Sequence, residues 1–275
     1  SLTEWQESKY DYAASSVFIH YLVDHYSISV LSDSIKLKSA GIPSINEILL
    51  KNGVKENFSE IFANWTIAIL LNNCSLDLKY CYIGTNLNNL RVSPTLNFLP
   101  LSGNSSLSVS NVTKNWSGNW QKIIGGKGDL KLEFSSLAGL DFKVPYVIFD
   151  KNNQYAIHFL TLDANQKGQI EIKNFGEDYN SLVIMPSLQK KISGFNGFEF
   201  TYPYTFTVSI TGAVLVEDET IIQKLLAQIE ALKKQIAAFQ SGNPGSQNNL
   251  CLVLNNNLYF GIKNDDQIKC LQNFL

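Results

Sequence analysis

Partway along this chain the spacing of its apolar residues changes from a helical repeat to a strict alternation, so it must fold into two differently built parts. Up to about residue 72 the repeat is helical. Ala13, Ala14, Val17, Phe18, Tyr21 and Leu22 share a face, and Ile28, Leu31 and Ile35 suggest a second helix ending near Gly41. Ser44-Ile-Asn-Glu47 and Asn57-Phe-Ser-Glu60 have the form of capping boxes, in which a side-chain oxygen takes a free backbone N–H and the glutamate reaches back. Gly53 supplies a left-handed stop between them. The segment after Asn57 is apolar nearly all round, with Phe58, Ile61, Phe62, Trp65 and Ile69 on one side and Ile67, Ala68, Leu70 and Leu71 on the others, so it should be central.

From about 105 to 213 the period is two. Eight short strands are expected, over 106–112, 120–124, 130–134, 144–149, 155–160, 169–172, 181–185 and 206–210. Turn signals divide them: Gly125-Gly126-Lys-Gly128, Asp150-Lys-Asn-Asn153 and Asn165-Gln-Lys-Gly168. Short strands at this spacing predict an antiparallel β-sandwich. Residues 220–239 return to helical spacing in strict heptads. Ile222, Leu225, Ile229, Leu232, Ile236 and Phe239 form a narrow seam, with Glu230 and Lys234 placed as an i,i+4 pair. That helix either docks on its own chain or self-associates through the seam. The fold class expected is therefore α+β. It comprises a helical subdomain (1–104), the sandwich (105–216), a coiled-coil-like helix (217–240), a linker (241–249) and a small cystine-closed tail (250–275).

The four cysteines fall into two local pairs, Cys74 with Cys81 and Cys251 with Cys270. Local pairs without nearby histidine favour disulfides over a metal site and point to an oxidising compartment. A formal net charge of −2 offers no footprint for nucleic acid, and no run approaches the roughly 18 apolar residues of a spanning helix. A start at Ser1 and an end at Leu275 inside an amphipathic run are expected of a piece of a longer protein.

Candidate chemistry is sparse. His20 and His25 are five apart, about 140° from one another on a helix, which is poor spacing for a shared metal. His158 stands alone in a strand. No HExxH helix, Gly-x-Ser-x-Gly elbow or phosphate loop is present in the sequence. Asp150 and Asp163 sit in Asn-rich turns, but they lack the full oxygen set of a calcium loop. No cofactor or metal is expected on this chain itself.

Two stretches resemble known families. Leu2-Thr-Glu-Trp5, Tyr12-Ala-Ala-Ser-Ser-Val-Phe18, Tyr21-Leu22, His25-Tyr26, Phe58-Ser-Glu-Ile-Phe-Ala-Asn-Trp65 and Tyr80-Cys-Tyr82 resemble the region just downstream of the active site in secreted bacterial zinc metallopeptidases of the immune inhibitor A and hyicolysin kind. Ala13 stands where those proteins usually have glycine. The following strands, with Trp120, Gly125-Gly126, Asn174-Phe-Gly176 and Tyr204, are similar to the β-domain that trails such peptidases. The resemblance implies zinc ligands upstream of this stretch. It also implies that Tyr12 could stabilise the oxyanion in the parent, the alternative being a tyrosine buried in the first helix's packing. The tail, from Asn257-Leu-Tyr-Phe-Gly261 to Gln267-Ile-Lys-Cys-Leu-Gln-Asn-Phe-Leu275, resembles the first half of a peptidoglycan-binding-like module closed by a Cys251–Cys270 bond.

Together these imply the non-catalytic C-terminal portion of a secreted or cell-surface bacterial zinc metallopeptidase. It would act in scaffolding, in positioning a protein or peptide substrate and in attachment, cell-wall glycan being one partner. The alternative is a cell-surface binding or assembly protein, a pseudo-peptidase or adhesin, without catalysis.

Overall fold

The structure, a computed structural model, describes residues 1–4, 9–195 and 198–212, and in a second unit residues 226, 229–230 and 233–234. The chain divides into two compact units, Ser1–Leu215 and Val216–Leu275. The helices and strands of the first unit form one body of the α+β class.

Four helices come first: α1 (Lys9–Tyr26), α2 (Ile28–Ser34), α3 (Ile42–Lys51) and α4 (Phe58–Leu71). The start of α4 follows its sequence signal. Asn57 Oδ1 accepts from the Glu60 backbone N–H at 3.0 Å, and Glu60 Oε2 accepts from the Asn57 N–H at 2.9 Å. The start of α3 does not. Gly41 is its N-cap and Pro43 lies within the first turn, which a proline suits because its missing N–H would have no partner there. Ser44 therefore falls inside the helix and donates to Gly41 O at 2.8 Å, while Glu47 pairs with Lys51 at 2.8 Å. Helix α2 is also shorter than its pattern suggests. Val30 is its buried apolar residue, and Ile28 and Ile35 face solvent. Gly53 does take the left-handed conformation, at φ 74°.

The strands are β1 (Thr95–Leu99), β2 (Ser105–Thr113), β3 (Gln121–Gly125), β4 (Gly128–Ser136), β5 (Phe142–Lys143), β6 (Pro145–Asp150), β7 (Tyr155–Phe159), β8 (Lys167–Phe175), β9 (Tyr179–Ile184), β10 (Ser187–Leu188) and β11 (Tyr202–Thr211). All eight expected strands are present. β1, β5 and β10 are additional. β1 lies between Pro94 and Pro100 in a stretch with no clear alternation, and β5 pairs with β10 over only two residues.

The sheet is mixed rather than wholly antiparallel. β1 runs parallel to β3, and β8 meets β9 through one parallel pair, Phe175↔Tyr179. That pair joins the run β1-β3-β9-β6-β7 to the run β8-β4-β11-β2 in one nine-stranded sheet. The sheet curls back on itself, nearly barrel-like, because both runs contribute to one core. Ile123, Leu182 and Ile184 come from the first run, and Leu132, Phe134, Phe206 and Val208 from the second. Two of the places where the chain crosses between runs are tight corners, the β3–β4 turn and the β8–β9 turn. These corners lie against each other, and a Cβ on Gly176 would stand 2.2 Å from Gly126 O. Only glycine allows that approach at φ 81°. This is the physical basis for the two glycine turns picked out in the sequence. Outside the core, the second run presents hydroxyls to solvent, with Ser108 bonded to Thr207 and Ser110 to Thr205, both at 3.0 Å.

Helix α4 is buried on opposite sides. Phe58, Ile61, Phe62, Trp65 and Ala68 pack with α1 and α3, while Ile67 and Leu71 pack on Val147, Val183 and Met185 of the sheet side. Trp120 reinforces the joint, its indole N–H donating to Thr66 O at 2.9 Å. The helix therefore serves as the floor of one core and the lid of another.

Cys74 and Cys81 form a disulfide that closes the connection after α4. Loop-closure entropy for a ring of this size corresponds to about 2.5 kcal/mol. Replacing both cysteines by serine should lower stability by about 2 kcal/mol, read from thermal melts with and without reductant. A melt unchanged by reductant would show that the neighbouring hydrogen bonds hold the loop unaided.

In the second unit, residues 226, 229–230 and 233–234 are helical and exposed, Ile229 at 48%. Glu230 pairs with Lys233 at 3.4 Å, not with Lys234. The other seam residues, Ile222, Leu225, Leu232, Ile236 and Phe239, lie outside the described residues, as do Cys251 and Cys270.

Candidate functional site

A cleft of about 610 Å³ opens between the helical layer and the rim of the sheet. One wall is Glu56, Ser59, Glu60, Ala63 and Asn64, where the chain enters α4, with Lys79 and Tyr80 from the cystine-closed connection. The other wall is Asp141 to Val144 around β5, Phe159 to Leu162 at the end of β7, and Gln166.

Each polar group is held by a local device. The capping box that starts α4 turns Glu60 back onto Asn57, so this carboxylate is partly used within the wall. Ser59 Oγ donates to Gln189 Oε1, and Gln189 Nε2 in turn donates to Ser187 Oγ at 3.1 Å. Gln166 Oε1 accepts from the Phe142 N–H at 2.8 Å, which ties β5 to the β7–β8 turn. Lys79 bonds Asp77 at 3.2 Å and lies 5.1 Å from the centre of the Tyr80 ring. The backbone N–H of Lys79 first and then its ammonium, against the opposing effect of burial, hold Asp77 below the usual carboxylate range. Behind this wall the Tyr26 phenol is raised well above its ordinary value, first by burial and then by Glu56, Glu60 and Asp77. The α4 entrance is therefore an acidic neighbourhood, with Lys79 beside it on the same wall and Lys143 on the opposite one. Phe159, 48% exposed, gives the opposite wall an apolar platform.

The residues lining the cleft include no histidine or cysteine, and the Ser59 hydroxyl faces an amide, which cannot take its proton. Among the described residues no group of three or more His, Cys, Asp or Glu side chains could hold a metal ion.

The residues singled out in the sequence are scattered. Tyr12 is 62% exposed on α1, so the reading as a buried packing tyrosine fails. Tyr21 takes that place, fully buried, with its hydroxyl donating to Lys79 O at 2.6 Å. The reason is helical phase: nine residues put the two tyrosines about 180° apart on the helix. His20 is exposed. His25 is half-buried, its Nε2 2.9 Å from Cys81 O and its ring 4.4 Å from that of Tyr21. Asp150 and Asp163 occupy matching turns. Each Oδ1 takes two backbone N–H groups, from Asn152 and Gln154 at 2.8 Å, and from Asn165 and Lys167 at 2.9 Å. Both carboxylates thus brace a turn. Several of the stretches that line the cleft were singled out in the sequence, the Asn57–Glu60 box, Tyr80 beside Cys81 and the turn that holds Gln166, but no local pattern brought them together with residues 141–144 and 159–162.

No family model and no curated protein matches this sequence. Solved structures resemble part of it. PliG, a periplasmic inhibitor of g-type lysozyme from Aeromonas hydrophila, is 12% identical, covering 43% of this chain and 100% of its own, with a TM-score of 0.28. The pre-peptidase C-terminal domain of a Bacillus anthracis collagenase is 9% identical, covering 43% and 98%, with a TM-score of 0.25. CorA, a surface-associated copper-binding protein of Methylomicrobium album BG8, is 10% identical, covering 43% and 98%, with a TM-score of 0.26. At these TM-scores no function passes from them to this chain. What stands is an α+β body with a disulfide, in which no helix among the described residues is long and apolar enough to cross a membrane.

Proposed function

We propose that this chain is the non-catalytic scaffold and substrate-positioning portion of a secreted or cell-surface zinc metallopeptidase, with its tail serving attachment. The observation that carries the reading is the cleft, built jointly by the helical layer and the sheet. Its aromatic and aliphatic floor and its facing carboxylates and lysines suit an extended polypeptide of mixed side chains. The Cys74–Cys81 disulfide fits an oxidising compartment. Zinc does not fit the residues described here, so in this reading its ligands, and every step that uses it, belong to another part of the parent polypeptide. Tyr12, exposed on α1, remains the residue proposed to reach that site.

The test is binding of fluorescein-labelled casein by anisotropy. The chain should bind saturably without cleaving it. Phe159→Ala with Glu56→Lys, both at accessible positions, should weaken binding by about tenfold, the loss of roughly 1.4 kcal/mol. Unsaturable binding, or equal affinity in the variant, would remove the cleft from the reading. Hydrolysis by the chain alone would end the non-catalytic assignment. Casein bound but never hydrolysed by the full-length secreted protein would favour a surface-binding protein without catalysis.

A further inference from the structure

The sheet ends, on one side, in a strand that nothing blunts. β7 pairs with β6 alone. Backbone bonds at both ends of that ladder, Leu160 N–H to Val144 O at 3.0 Å and Asp150 N–H to Gln154 O at 2.9 Å, set its phase. Bonded pairs alternate along an antiparallel ladder, so Ala156 and His158 turn their backbone groups toward β6. Tyr155, Ile157 and Phe159 turn theirs outward, and no hydrogen bond from the described residues reaches those groups.

Exposed edges are ordinarily guarded by charge, proline or a bulge. Residues 154–162, Gln-Tyr-Ala-Ile-His-Phe-Leu-Thr-Leu, contain no Asp, Glu, Lys, Arg or Pro. Among the other outer strands, β8 carries Lys167, Glu171 and Lys173, and β1 lies between Pro94 and Pro100. β2, which pairs with β11 alone, also lacks charge and proline, but its exposed side chains are mostly serines, where β7 exposes Phe159.

We propose that β7 pairs antiparallel with β7 of a second copy of this chain, about a two-fold axis at Ile157, extending the sheet across both subunits. The strand is self-complementary in that register. Ile157 opposes itself, and Tyr155 opposes Phe159 of the partner subunit. All three outward-facing residues then fall in bonded pairs, about six hydrogen bonds in total. On one face each Tyr155–Phe159 contact is an aromatic cross-strand pair, and it covers the exposed Phe159 ring. On the other face the small Ala156 meets the larger His158, and no like charges are opposed. The same patch serves both subunits, as a closed two-fold interface requires. This inference does not rest on the proposed function or on the heptad seam; because Phe159 also lines the cleft, the test uses Ala156 and His158, which do not line it.

Sedimentation velocity on the chain tests it. A dimer is expected, and Ile229→Glu with Leu232→Glu should leave it intact. Ala156→Glu with His158→Glu, both at exposed positions, sets glutamate against glutamate twice and should weaken association by about tenfold. Ala156→Lys with His158→Lys should do the same, and an equal mixture of the two double variants should dimerise again. Circular dichroism melts matching the parent confirm that the variants are folded. In hydrogen exchange, the amides of Tyr155, Ile157 and Phe159 should slow as concentration rises. A monomer at every attainable concentration overturns the proposal. So does a dimer indifferent to the charge pairs, or one lost with the Ile229 and Leu232 changes.

Discussion

Asn72→Ala is expected to lower the unfolding free energy by about 4 kcal/mol, a large share of what a domain possesses. Asn72 ends α4 in the left-handed conformation, at φ 41°, and is buried. Its Nδ2 donates to Leu87 O at 2.7 Å, Leu90 O at 3.0 Å and Asn88 O at 3.1 Å, and its Oδ1 accepts from the Tyr82 N–H at 2.9 Å. One side chain thus holds the whole return of the cystine-closed connection against the helix end. Alanine would strand these backbone groups and would also strain the left-handed position. Asn72→Gly separates the two effects, since it relieves the strain but loses the bonds. It should recover about 1 kcal/mol of the loss. Urea unfolding with an unchanged slope is the measurement, and a loss below about 1 kcal/mol for alanine would show that water replaces the amide. Arg91, the only arginine in the chain, adds to the same joint, its Nε and Nη2 donating to Leu71 O at 3.0 Å and Asn72 O at 2.9 Å.

The second large effect is expected at Trp116. Its ring is fully buried and meets Phe58 and Phe62 edge-on, with centroids 5.0 and 5.4 Å away, and its indole N–H donates to Lys191 O. Its backbone receives Leu2 N–H at 3.1 Å and donates to Leu188 O at 2.7 Å, so the start of the chain, the helical core and the segment after β10 converge on it. Trp116→Ala should cost about 3–5 kcal/mol through the cavity and the orphaned carbonyl. Trp116→Phe keeps most of the ring contacts and should cost about half as much. The alanine variant should also lose protection of the Leu2 amide in hydrogen exchange, at denaturant levels where the sheet amides are still protected. Uniform loss across both cores would mean that Trp116 acts on global stability only.

Much of this architecture is visible in local pattern. The apolar circumference of the segment after Asn57 requires burial on opposite sides, and α4 has it. Asn57 and Glu60 lie three apart and need only one helical turn to meet. Where two local signals compete, the pattern misleads. Pro43 starts α3 ahead of Ser44, and the phase of α1 buries Tyr21 and exposes Tyr12. β1 escapes notice because five residues between prolines show too little alternation, and its partner β3 begins twenty-odd residues later.

The α4 capping box, strand alternation, the glycine turns and the short cystine were determined by the sequence alone, because each depends on residues within a turn or a few of one another. The tertiary structure decided the rest: the mixed order of the sheet, the cleft between α4 and β5, the contact of Gly176 with Gly126, and the open side of β7. Each brings together groups tens of residues apart, and their meeting depends on which cores the intervening elements can bury together. That is a property of packing over the whole chain, and no single stretch of it carries the information.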